Sequence, residues 1–166
     1  GPGTLALTKI GTGTLTLTGD STYTGGTSLS AGGLFIGSGS ALGTGALTTG
    51  AGTAVTLADG VTLANAITLD GDTAFGTEVL PLGAPGAATI SGTISGTGAL
   101  VRTDRSDLTL TGANTYSGGT TLRGLTTITN GSALGTGTIT AAGGVLTIGA
   151  DGIVLANDIG LQSGLN

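Results

Sequence analysis

Cysteine, histidine, methionine and tryptophan are all missing from this 166-residue chain, and aromatic residues make up only 2% of it. Without His or Cys there is no transition-metal site and no Ser–His or Cys–His nucleophile pair. The lack of Cys excludes disulfides but does not fix the compartment. A secreted protein that crosses a membrane unfolded also gains from having no thiols to cross-link early. Charged residues are scarce, at 8%, with four cationic and nine acidic side chains giving a net charge of −5. That balance argues against nucleic acid or an anionic membrane as a partner. No apolar run nears the roughly 18 residues needed to span a bilayer, and no secretory signal is visible. The opening Gly1-Pro2 reads as a remnant of a purification tag.

What is present is glycine, 36 residues of it, with threonine nearly as common. Glycine costs about 1 kcal/mol relative to Ala inside a helix, so helices are almost excluded. Between the glycines lie short alternating pieces such as "TLTLT", "AVTL", "AITLD" and "VLTIG". Apolar/polar alternation over four to six residues is the mark of a half-buried strand. Leu15 and Leu17 then face one way and Thr14, Thr16 and Thr18 the other. Gly, Asn, Asp and Ser combinations supply the corners. The chain reads as all-β with many short strands.

"LTLTGDSTYTGGT" (Leu15–Thr27) returns as "LTLTGANTYSGGT" (Leu108–Thr120) at an offset of 93. "SALGTG" recurs from Ser40 to Ser132 at 92, and "DGVTLANAI" (Asp59–Ile67) returns as "DGIVLANDI" (Asp151–Ile159) at the same spacing. One continuous solenoid is expected, with a first repeat unit over 3–95 and a second, partial one over 96–166. With three strands to a coil, a unit amounts to about four coils of roughly 23 residues and the chain to about seven. One-residue slips between the copies belong in corners, because a slip within a strand would turn its core side chains outward. A sandwich or up-and-down barrel is the alternative; two-residue hairpin turns between long strands are scarce here.

"GTGTLTLTGDSTYTGGTSLSAGGL" and "DLTLTGANTYSGGTTLRGL" resemble the passenger-associated β-strand repeat of bacterial autotransporters. "TLANAITLDGD" and "ATISGTISGTGAL" look like the segments that link such repeats. The resemblance implies a right-handed parallel β-helix, exposed on or released from the surface of a Gram-negative bacterium. It implies a structural, export-supporting role, with membrane attachment only through a C-terminal barrel that is not in this sequence. One departure stands out: "LALTKIGTGTLTL" is answered by "LVRTDRSDLTL", which places four charges in a neutral corner.

Those four, Arg102, Asp104, Arg105 and Asp107, are the one charge cluster. Asp for Ca²⁺ and a basic residue for proton abstraction would suit a β-helix lyase, but a solvated corner with weak surface ion pairs accounts for them better. Asp70-Gly71-Asp72 has neither EF-hand nor β-roll spacing and reads as a turn. Asn65 and Asn157, in the two "LAN" copies, are expected to bond corner backbone. No catalytic, cofactor-binding or metal-ligating residue is assigned. The repeat's Tyr is expected to pack over its Gly-Gly corner; on the carbohydrate alternative Tyr23 and Tyr116, taken as solvent-side, could stack on sugar rings but lie too far apart for one platform. Thr-x-Thr strands raise an ice-binding reading, weakened by the "GLFIG" and "VTLA" strands that would interrupt the rows. The expectation is a non-enzymatic stalk segment. Its expected partners are its own exposed ends and a host or matrix glycan or protein; the alternative is a carbohydrate-binding or carbohydrate-cleaving β-helix.

Overall fold

A computed structural model describes residues 4–78 and 84–162. The presumed tag remnant, Gly1-Pro2, lies outside them. Eighteen short strands, all paired in parallel, wind into a three-sided solenoid of about eight turns. The first sheet stacks β1 (Leu7–Lys9), β3 (Thr27–Leu29), β5 (Leu47–Thr49), β8 (Ile67–Leu69) and β11 (Ile94–Gly96). The second runs β2 (Thr14–Leu17), β4 (Gly33–Ile36), β6 (Thr53–Leu57), β9 (Thr73–Thr77), β12 (Leu100–Arg102), β14 (Thr120–Leu122), β16 (Ile139–Ala141) and β18 (Ile159–Leu161). The third holds β7 (Thr62–Leu63), β10 (Ala87–Ile90), β13 (Asp107–Leu110), β15 (Leu125–Ile128) and β17 (Val145–Ile148).

The alternation anticipated from sequence is what fills the prism. In "LTLT" and "TAVTL" the aliphatic positions point inward, and Leu29, Leu34, Ile36, Leu57, Leu69, Leu108 and Leu110 are fully buried. Each such side chain contributes about 1.5–3 kcal/mol on burial. The turns are tighter than expected. Partners in the first sheet step from Leu7 to Thr27 to Leu47 to Ile67, twenty residues at a time, and eight turns replace the seven anticipated from roughly 23-residue coils.

The repeat is not a whole number of turns. At the offset of 93, β1 corresponds to β12, β2 to β13 and β3 to β14. Yet β1 and β3 lie in the first sheet and β12 and β14 in the second, while β2 lies in the second and β13 in the third. From β1 the first sheet is revisited at β3, β5, β8 and β11, and β12 follows one side later. One unit is therefore four turns plus one side, not four turns, and each copy is rotated onto the next side of the prism.

Both slips between the copies fall in corners. Three residues, Ser30–Gly32, join β3 to β4, whereas two, Arg123 and Gly124, join β14 to β15. Inward Leu34 is thus matched by inward Thr126. The second slip falls between β16 and β17, at Ala142–Gly144.

Candidate functional site

The duplicated "TYTGGT/TYSGGT" element crosses a side that carries no strand. There no strand ladder forms, and backbone bonds between turns, such as the Thr44 amide to the Tyr23 carbonyl (3.1 Å) and the Thr136 amide to that of Tyr116 (2.9 Å), are supplemented by side chains. Tyr23 Oη lies 2.6 Å from Thr27 Oγ1, and Tyr116 Oη 2.5 Å from Thr120 Oγ1. On the next turn Gly43 and Gly135 sit in the left-handed region at φ +58° and +68°. A Cβ on Gly43 would come within 2.0 Å of the Tyr23 carbonyl oxygen, and one on Gly135 within 2.4 Å of that of Tyr116. Only glycine fits so close an approach. One turn further, Asn65 Nδ2 donates to the carbonyls of Gly43 (3.0 Å) and Gly45 (2.8 Å). Asn157 repeats this with Gly135 (3.0 Å) and Gly137 (2.8 Å). Tyr, Gly and Asn thus form a three-turn column, built twice. The corner role foreseen for the two Asn residues holds.

The tyrosines are not solvent-side. Tyr116 is fully buried and Tyr23, in the first turn, is half-buried. Tyr116 presents no sugar-stacking face, and in both copies the hydroxyl turns back to Thr. Burial pushes the Tyr116 phenol well above its ordinary range, an effect moderated by the Thr120 hydrogen bond.

The charged corner also departs from expectation. Arg102 occupies an inward position of β12 and is 0% exposed, so it is no solvated corner residue. Its Nη2 donates to Asp104 Oδ1 at 2.9 Å and to the Ser106 carbonyl at 2.7 Å. Asp104, a quarter exposed, accepts from the Thr77 amide (2.9 Å) with one oxygen and from Ser106 Oγ (2.5 Å) with the other. Nε and Nη1 of Arg102 have no partner. Burial lowers the Arg102 pKa, while Asp104 and then Asp107 pull it back up. Lys9, ninety-three residues earlier, fills the matching place and donates to the carbonyls of Ile10 (2.9 Å) and Gly11 (2.6 Å). A cation reaching into this corner is therefore a shared feature of both copies, one that a count of charges overlooks and an alignment of Lys9 with Arg102 reveals. Arg105 is exposed and Asp107 half-buried, so the four charges do not converge as a catalytic group.

Asp72 Oδ1 accepts from the Ala99 amide at 2.9 Å across the corner, and Asp70 is exposed. Among the described residues no group of three or more His, Cys, Asp or Glu comes together. The threonine rows are less interrupted than the sequence suggested. On the third sheet Thr62, Thr89, Thr109, Thr127 and Thr147 stand in one register.

The family model described as Passenger-associated-transport-repeat matches residues 7–34 and 100–124. These stretches hold Tyr23 and Tyr116 with their Thr partners. No characterised protein and no solved structure matches the chain.

Proposed function

We propose, from the premise that the chain is an autotransporter passenger β-helix carrying two passenger-associated-transport repeats, that it works as a non-enzymatic stalk segment. In this reading it stands on, or is released from, the outer surface of a Gram-negative bacterium, holds a distal part away from the cell, and helps draw the passenger outward by folding. The observation that carries the reading is the second sheet, in which eight parallel strands run unbroken through both copies. A turn in such a stack contacts only its neighbours, so stability accrues turn by turn.

Serial removal of single turns from the C-terminal end, followed by circular dichroism and urea unfolding, tests this. Each removal should subtract an increment of β-structure and of stability. Loss of all β-structure on removing one turn would overturn the stepwise picture. The end turns leave apolar side chains open, with Leu5 69%, Ile10 73%, Val154 79% and Leu161 86% exposed. Unpaired strand edges at both ends favour end-to-end association. Size exclusion should show concentration-dependent assembly, and a strict monomer at high concentration would count against it.

A further inference from the structure

The second repeat carries something that its scaffold does not need. In the first copy the corner between β1 and β2 is Ile10–Gly13, with no charge beyond Lys9, and the same solenoid forms. In the second copy, three of the chain's four cations, Arg102, Arg105 and Arg123, gather where the second sheet turns into the third. Three stacked corners there, 103–106, 123–124 and 142–144, enclose an open groove of about 700 Å³. Arg105 and Arg123 line it with Thr103, and Leu125 and Val145 form apolar floor.

The charges of this corner are unequally satisfied. Both oxygens of Asp104 are engaged by Arg102, Ser106 and Thr77. Arg105 and Arg123, both exposed, make no hydrogen bond and no ion pair among the described residues. Beneath Gly124, which lines the groove, lies the Arg102 guanidinium; a Cβ on Gly124 would sit 3.0 Å from its Nη2. Two nitrogens of that buried cation are unpartnered. Counting Asp107 against the arginines, the corner keeps a local positive excess in a chain of net charge −5.

The groove opens onto the outer face of the third sheet. Leu125 and Val145 are followed two residues on by Thr127 and Thr147, which align with Thr109. Thr111 and Thr129 continue the outward alternation past β13 and β15. A cationic notch thus leads onto a neutral ladder of hydroxyls at the ordinary strand spacing of about 4.8 Å. A ligand suited to it has many hydroxyls and only occasional negative charge. An extended polyphosphate or an anionic bilayer would instead meet the repulsion of the rest of the chain.

We propose that this groove and the adjoining threonine face bind an acidic oligosaccharide, with Arg105 and Arg123 holding a uronate carboxylate or a sulfate ester. Arg suits either group because its planar fork pairs with both oxygens. The inference stands apart from the stalk reading, since it is tested on the isolated folded segment and not by display.

Isothermal calorimetry at low salt would compare a short oligogalactan carrying a single galacturonate residue, the same oligogalactan carrying a single sulfate ester and the neutral oligogalactan. At least one acidic ligand should bind at least tenfold more tightly than the neutral one, the stronger of the two identifying carboxylate or sulfate as the group held. R105Q/R123Q should abolish that binding with the circular dichroism spectrum and melting unchanged, and R105K/R123K should restore part of it. Equal binding of the neutral sugar, no binding of either acidic one, or binding indifferent to R105Q/R123Q would overturn the proposal. So would a short single-stranded oligonucleotide or phosphatidylserine vesicles binding as well through the same arginines.

Discussion

Replacing Asp104 with Asn isolates what the buried arginine costs the fold. Arg102 is 0% exposed, and its one carboxylate partner stands 2.9 Å away. Arg cannot shed its proton in the accessible pH range, so D104N leaves a buried cation without its bonded counter-charge and with only the Asp107 carboxylate nearby. Removing one member of a buried pair costs about 3–5 kcal/mol. Asp104 is a quarter exposed, and Asn retains an acceptor for the Thr77 or Ser106 donors, which places the expected loss near the lower end, about 3 kcal/mol. R102M/D104N removes the stranded charge and should fall within about 1 kcal/mol of the parent, because an apolar replacement of a buried pair is often neutral. Urea unfolding of the parent, both single variants and the double variant gives the coupling. Hydrogen exchange at the Thr77 and Ser106 amides localises it to these turns. If D104N and R102M/D104N were equally destabilised, the loss would come from the carboxylate's hydrogen bonds and not from the buried charge, and the reasoning would fail.

Thr126→Val should stabilise the chain by about 1 kcal/mol in the same urea assay, since Thr126 is fully buried and its hydroxyl has no partner. Tyr116→Phe should cost about 1 kcal/mol at neutral pH through the lost Thr120 hydrogen bond. Because burial raises the Tyr116 pKa above its ordinary 10.0, its contribution is complete below pH 10 and declines as pH climbs beyond that, where the unfolded phenol ionises first. The decline is up to about 1.4 kcal/mol per pH unit. Unfolding measured between pH 9 and 11 should therefore show a shallower alkaline fall for Y116F. Gly135→Ala should cost more than about 2 kcal/mol, since it places a Cβ 2.4 Å from the Tyr116 carbonyl at a positive φ. A melting temperature unchanged in G135A would mean that the Tyr–Gly contact is not a close one.

Much of this architecture was legible from local pattern. Alternation in "TLTLT" and "TAVTL" specified strands because one face of each had to be buried. The recurrence of Tyr, Gly and Asn at fixed offsets specified a stack. The number of turns was not legible, because the repeat unit is four turns plus one side and not a whole number of turns. "GDSTYTGGT" carries no alternation to reveal that it spans a whole side. The inward turn of Arg102 was equally hidden: "LVRTD" alternates as a strand, with the cation in an aliphatic position, and charge alone argued for the surface. The solvent-side placing of Tyr23 and Tyr116 on the carbohydrate reading failed for a related reason, while their packing over the corner was foreseen. A lone aromatic among glycines reads as exposed until the strandless side it must fill is known.

The offset between repeat and turn explains how such strandless sides are tolerated. Among the described residues, the third side has no strand in the first two turns, and the first side has none in the last three. Among the described residues, only the turns begun by β5, β8 and β11 carry strands on all three sides. Had the repeat been a whole number of turns, the strandless sides would fall on one side of the prism in every unit. The same side would then rest, in both units, on scattered backbone bonds and side-chain bonds without a ladder. Advancing by one further side leaves the second sheet intact through the changeover. The strandless run of one unit then ends where the three-sheeted turns begin. Those middle turns, with described strands on all three sides, are where a growing stack has its firmest template.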